Sequence, residues 1–246
     1  GDPKHGRITV PGVHKPSLVG VSSGGSAAGA DGTCRIALQL AFNDTLHKEY
    51  GVPASVIVEY RIDPLRKRLN VTLTWHNKTA TRLDEAMTVF NMPSRRPGYA
   101  WAMDSLGEWV SPANVTRGGE QYMHAVWSGI RYAASSQAAT RTPQLRISTL
   151  DAAMVCPVLN QAADSKLTWE SALQQSCFDY SIHPDGPREK QLTDAAIEGL
   201  GINLHNNRMG ISGFPLWYPF GIGQRYQKQD ETTQFRFVIE EQFRPA

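Results

Sequence analysis

From Cys34 to Phe42 the chain alternates, with Ile36, Leu38, Leu40 and Phe42 set between Arg35, Ala37, Gln39 and Ala41. A period of two is the signature of a strand with one covered face. The same period returns at Val56, Val58, Tyr60 and Ile62, and again at Leu69, Val71, Leu73 and Trp75. Further strands are predicted at 87–90, 122–127, 144–148, 153–159, 201–205 and 234–239. Helical patterns are few and short: 169–175 behind Thr168, and 194–198 between Thr193 and Gly199. In the third alternating run the opposite face carries Asn70, Thr72 and Thr74; if Asn70 bears a glycan, that face must point to water, which requires an antiparallel sheet with one covered side. The prediction is a mainly β fold of antiparallel sheets.

At 246 residues the chain exceeds the roughly 100 of one immunoglobulin-like sandwich, so one large domain with a shared core is expected. Residues 1–33 are rich in Gly, Ser, Ala and Pro and read as an extended arm or linker; regular structure is expected over 34–246. The net charge of +2 comes from 25 basic and 23 acidic residues, mixed along the chain. No basic stripe offers itself to a phosphate backbone, so nucleic acid is an improbable partner. No apolar run is long enough to cross a bilayer, and no membrane partner is expected. The start at Gly1-Asp2-Pro3 reads as that of a processed chain.

Asn43, Asn70, Asn77 and Asn114 each begin an N-x-Thr triplet, four of nine asparagines. About one such match is expected by chance, so the surplus points to glycosylation and a secreted, extracellular protein. Cys34, Cys156 and Cys177 make an odd count. In an oxidising compartment Cys156 and Cys177, nearest in sequence, are the pair most easily closed into a disulfide, leaving Cys34 over.

Gly20-Val21-Ser22-Ser23-Gly24 matches the G-x-S-x-G of a nucleophile elbow. It runs on into a flexible Gly/Ser/Ala tract without α/β alternation, and linker composition accounts for it better. The seven histidines are scattered, none at metal-ligating spacing, so no cofactor is expected in this chain. Asp84, Glu85, Asp104, Glu108 and Asp151 could supply a glycosidase's two carboxylates, but spacing does not select a pair. The tryptophans say more, because sugar sites combine a flat aromatic with amides, arginines and carboxylates. Trp75 and Trp127, on apolar strand faces, are expected in the core. Trp101, Trp109 and Trp217, flanked by Gly, Pro and polar residues, fit core and cleft equally.

Three stretches together resemble the C-terminal β-rich part of glycoside hydrolase family 38-like proteins, relatives of the α-mannosidases. The first is Trp75-His76-Asn77-Lys78-Thr79-Ala80-Thr81-Arg82-Leu83-Asp84-Glu85-Ala86. The second is Tyr122-Met123-His124-Ala125-Val126 with Ile147-Ser148-Thr149-Leu150-Asp151-Ala152. The third runs from His205-Asn206-Asn207 through Trp217-Tyr218 to Phe235-Arg236-Phe237. Leu83-Asp84-Glu85 stands where the resemblance leads one to expect Leu-Pro-Glu. The resemblance implies an antiparallel β-supersandwich of galactose mutarotase-like type with a few short helices. It also implies a zinc-bearing catalytic domain elsewhere, which this one supports or edges.

On that basis the substrate-binding candidates are His205, Asn206, Asn207, Trp217, Arg82, Glu85 and His124, with Arg82 and Glu85 as an ion pair at a strand end. The expected partners are carbohydrate and a catalytic domain or second chain of the same enzyme; catalytic residues and zinc would lie on that part. A stand-alone carbohydrate-binding module, a polysaccharide lyase or epimerase, and a structural interaction domain remain open as rivals.

Overall fold

The computed structural model describes residues 14–24, 33–79, 86–91, 96–114, 123–134, 143–159, 193–206 and 232–243. Those residues are mainly β. The strands are β1 (Ser17–Gly24), β2 (Cys34–Ala41), β3 (Ser55–Asp63), β4 (Arg68–His76), β5 (Ala86–Asn91), β6 (Tyr99–Ser105) and β7 (Glu108–Val110). They continue as β8 (His124–Ala125), β9 (Gly129–Ala134), β10 (Pro143–Thr149), β11 (Met154–Leu159), β12 (Ile197–Asn206) and β13 (Thr233–Phe243). A short helix, α1 (Asp44–Tyr50), and a 3-10 turn at Asp194–Ala196 complete the described structure.

All strand pairings are antiparallel, in two sheets. One has nine strands in the order β1-β2-β3-β4-β13-β10-β9-β6-β7, the other four in the order β5-β12-β11-β8. The predicted alternation is what the sheets use. Val56, Val58, Val71, Leu73, Trp75, Phe235 and Phe237 from the large sheet meet Val155, Leu200, Ile202 and Leu204 from the small one in a single core. Trp75 stacks edge-on against Phe235, with ring centroids 4.8 Å apart. Trp101 packs against Tyr132 at 5.2 Å and donates its indole N–H to the Glu198 carbonyl on β12, a direct link between sheets.

Asn70, Thr72 and Thr74 are half-buried on the other face of β4, as the alternation requires. That outer face carries a row running Arg131, Arg146, Glu240, Arg68 and Asp63 across five strands. Arg68 and Glu240 approach to 3.5 Å, and Arg35 pairs with Glu59 further along. Such solvated cross-strand pairs add little stability individually but keep this face from aggregating.

Several expectations are corrected. The arm read over 1–33 contains β1, whose Gly20–Gly24 stretch lies in an edge strand rather than on a strand-to-helix turn. Strands β6, β7 and β9 and helix α1 were not anticipated. Asn43 caps α1 by accepting the Thr45 N–H, and Gly51, at φ 77°, ends it; glycine tolerates that left-handed conformation without penalty. The strand expected over 122–127 shrinks to His124–Ala125. The helix expected at 194–198 is one 3-10 turn, because the Thr193 side chain makes no capping bond and β12 begins at Ile197. The helix expected at 169–175 lies outside the described residues.

Truncating Phe237, buried at the centre of β13, is expected to remove about 3–5 kcal/mol of stability. Urea unfolding of Phe237→Ala measures this, and a loss below about 1 kcal/mol would contradict the central position of β13.

Candidate functional site at one end of the sandwich

Strand register decides which loops are neighbours. Trp75 pairs with Thr233, Val56 with Trp75, Thr149 with Phe237, Ser148 with Gly129 and Met103 with Ile130. The ends of β2, β4, β6, β8, β10 and β12 therefore lie at one end of the two-sheet stack. In the small sheet Ala86 pairs with Asn206 and Met87 with His205. The described residues of the three resembling stretches, among them His76, Thr149 and Asn206, thus lie toward the same end.

Two loops there are held by one carboxylate. Asp104, buried at the end of β6, accepts the Gly107 N–H at 2.8 Å and the Ser128 hydroxyl, and Ser128 in turn accepts from Arg146 at 3.3 Å. The Asp104 carbonyl accepts the Trp127 N–H at 2.9 Å. Arg146 and Arg131 lie 5.6 and 4.7 Å from the ring of Trp109, which is half-buried between sheet face and guanidinium groups. Cation–π contacts of this kind contribute about 0.5–2 kcal/mol.

What this scaffold presents to water is apolar. Trp127 is 75% exposed, Leu106 86% and Leu150 54%. Their loops are adjacent, since the Thr149 N–H bonds the Ser128 carbonyl as well. Leu106 also holds φ at 57° in the β6–β7 turn, followed by Gly107 at 96°. A left-handed leucine in a two-residue hairpin is costly where Asn or Gly is favoured, by roughly 1 kcal/mol. Trp127 was expected in the core. The strand that would have carried it inward ends at Ala125, and its ring stands out from the loop instead.

Beside these lies the pair Asp151–Arg236. Asp151 accepts two guanidinium hydrogen bonds, at 2.8 and 2.9 Å, and the Arg236 backbone N–H at 2.8 Å. The side-chain bond from Arg236 holds the Asp151 carboxyl below its ordinary value, against the opposing effect of burial, and Arg236 is raised in return.

His205 and Asn206 end β12 at the open end, and a register shift between Asn203 and His205 makes a bulge just before them. Bulges re-aim side chains and concentrate near functional sites. Arg82, Glu85, Asn207 and Trp217 lie outside the described residues. His124, in β8, pairs with Val155, which pairs with Ile202, and is buried. Trp101, left open between core and cleft, is core. The register convergence and the exposed end residues were missed by sequence reasoning; the Leu106-Gly107 turn was the available signal.

Among the potential glycosylation sites, Asn43, Asn77 and Asn114 are exposed and Asn70 is half-buried on the outer face. Asn77, at φ 54°, projects from the chain just after β4, whereas the next residue, Lys78, is buried and donates to the Gly51 carbonyl at 3.5 Å. Cys156 is fully buried, its sulfur 3.6 Å from the Gly201 carbonyl. Its expected partner, Cys177, lies outside the described residues, and Cys34 is a free, exposed thiol. No group of three His, Cys, Asp or Glu among the described residues is placed to hold a metal ion, and no helix among them is long and apolar enough to cross a membrane.

A second recess, of about 220 Å³, lies at the opposite end, lined by Tyr99, Tyr132, Asp194 and Glu198 among others. The Tyr132 hydroxyl accepts the Arg96 N–H at 2.8 Å, and Asp194 accepts from Ser111.

Because Asp151 titrates below its ordinary value of 3.8, the Arg236 pair stabilises the fold above that pH and ceases to as pH falls through the lower, folded value. Asp151→Asn is expected to cost at most about 1 kcal/mol at neutral pH, given its partial exposure. Its difference from the parent should vanish in acid; a thermal-unfolding difference unchanged between pH 7 and about pH 2 would contradict the assignment. No protein-family model, curated protein or solved structure matches this chain.

Proposed function

We propose that this chain is the accessory β-sandwich part, or a processed subunit, of a secreted glycoside hydrolase 38-like enzyme, and that its loop end edges the sugar-binding cleft. The observation that supports the reading is the convergence on one end of the described residues of the three resembling stretches. Exposed Trp127, Leu106 and Leu150 give that end a surface suited to contact with another domain or with sugar C–H faces. Glycans at Asn43, Asn70, Asn77 and Asn114 and a Cys156–Cys177 disulfide belong to the same reading, as features of the secretory pathway.

In this arrangement the chain contributes orientation and exclusion of water. On this reading the imidazole, carboxamide and ionic groups of His205, Asn206, Asn207, Arg82 and Glu85, with the Trp217 ring, are the chain's contribution to binding sugar hydroxyls and C–H faces. Asp104 and Ser128 fix the loop that carries Trp127. The resemblance assigns zinc and the catalytic acids to the partner domain.

In the complete enzyme, His205→Ala and Asn207→Ala are each expected to lower kcat/KM on an α-mannoside about tenfold or more, about 1.4 kcal/mol of transition-state binding, with an unchanged melting temperature. Full activity in both, or loss that tracks unfolding, would sink the cleft assignment.

A second reading, a stand-alone carbohydrate-binding module, is favoured by the exposure of Trp127. Calorimetric titration of manno-oligosaccharides into the isolated chain separates the two. Binding that is abolished in Trp127→Ala identifies a module, whereas the accessory reading expects no saturable binding until the catalytic part is present.

A further inference from the structure

The two edges of the nine-stranded sheet are not alike. At one edge β7 has three residues and begins with Glu108. At the other, β1 has eight residues, Ser17–Gly24, without one charged side chain or proline. Natural sheets blunt exposed edges with short strands, charges, prolines or bulges. By that standard β7 is blunted and β1 nearly bare.

Strand β1 pairs with β2 on one side only, so its outer edge offers a row of backbone donors and acceptors. Its one irregularity is the register shift between Leu18 and Gly20, which leaves Val19 as the extra residue and Gly20–Gly24 as a regular stretch centred on Ser22. Leu18 and Val21 fall on the face of Leu40 and Leu38, continuing the core side of the sheet, yet both are more than half exposed, as is Val19. The apolar surface of the sheet therefore runs out to an edge with nothing beside it among the described residues.

We propose that β1 is a docking edge for a second copy of this chain, joined by antiparallel β1–β1 pairing across a two-fold axis near Ser22. The unsatisfied backbone edge calls for a strand as its occupant, because only a strand supplies donors and acceptors at matching spacing. An antiparallel strand paired with itself is isologous and closes at two copies. The alternative, head-to-tail growth, would need β7, which is too short and bears a charge. The new ladder sets Val21 beside Ser23 of the other copy, and cross-strand contact covers part of the exposed aliphatic surface.

The geometry also fixes what Cys34 does. Ser22 pairs with Ala37, and Cys34 lies three residues further along β2. Strand rise and three strand spacings together set the two Cys34 residues about 25 Å apart, beyond the roughly 7 Å that a disulfide spans. The dimer is therefore non-covalent.

Sedimentation equilibrium of the full glycosylated chain tests this, with Val21→Lys and Leu18→Lys as variants on an exposed strand and Cys34→Ser as a control. The expected result is a reversible dimer, insensitive to reductant and to Cys34→Ser, whose dissociation constant rises at least about tenfold in each lysine variant because the charge enters twice. A monomer at all concentrations up to about 100 µM, in the range of weak associations, would overturn the proposal. So would a dimer lost on reduction or in Cys34→Ser, or one that neither lysine variant weakens at an unchanged melting temperature.

Discussion

The structure depends on the position of β13. This C-terminal strand lies between β4 and β10, pairing Phe235 with Leu73 on one side and Ile239 with Ile147 on the other. Without it the four N-terminal strands and the β10-β9-β6-β7 group would be separate sheets, each with an uncovered edge. Its Phe235 and Phe237 place aromatic bulk where both groups meet the small sheet. Because the pairing is long-range, the chain must close large loops before these contacts form, and slow folding is the physical consequence.

The same register creates the loop end. Six strand ends are brought together there by backbone pairing within the sheets, and the loops inherit their proximity from it. Onto that frame Asp104 adds local rigidity, binding one turn through Gly107 and the next loop through Ser128. A tryptophan three-quarters exposed and a leucine in left-handed conformation are unfavourable choices for a bare surface, and features that cost stability concentrate where a surface has work to do. Inside the small sheet Asn203 is 1% exposed, and neither atom of its carboxamide has a hydrogen-bond partner; its cross-strand neighbour Thr88 has a buried hydroxyl in the same state. These orphaned groups, one row from the bulge at His205, are a further departure from a core optimised for stability.

Much of the fold was legible in the sequence. Strands whose outer residues are polar, such as β2, β3 and β4, announce themselves by alternation, and Asn70 lies on the outer face of its sheet. Others were hidden for identifiable reasons. In β6 the spacers between Tyr99, Trp101 and Met103 are Ala100 and Ala102, so the contrast fades, while Gly and Ser mask the pattern of β1. Helix α1 was signalled only by its ends, Asn43 and Gly51. Trp127 shows how far a small error reaches: ending the strand at Ala125 moves its ring from core to solvent. The candidate site was legible as separate motifs but not as a place, because pairing of Ala86 with Asn206 and of Trp75 with Thr233 is a property of register, which local patterns do not encode.

As proposed, the loop end at Trp127, Leu150 and His205 faces the sugar cleft of a larger enzyme. Hydrogen–deuterium exchange on the species purified from its native source, with and without α-linked manno-oligosaccharides, tests it most directly. The account predicts slowed exchange in 126–128, 149–152 and 204–206 and no change in 63–68 or 96–99 at the opposite end. Protection confined to that opposite end, or none while the oligosaccharide is demonstrably bound, would contradict it.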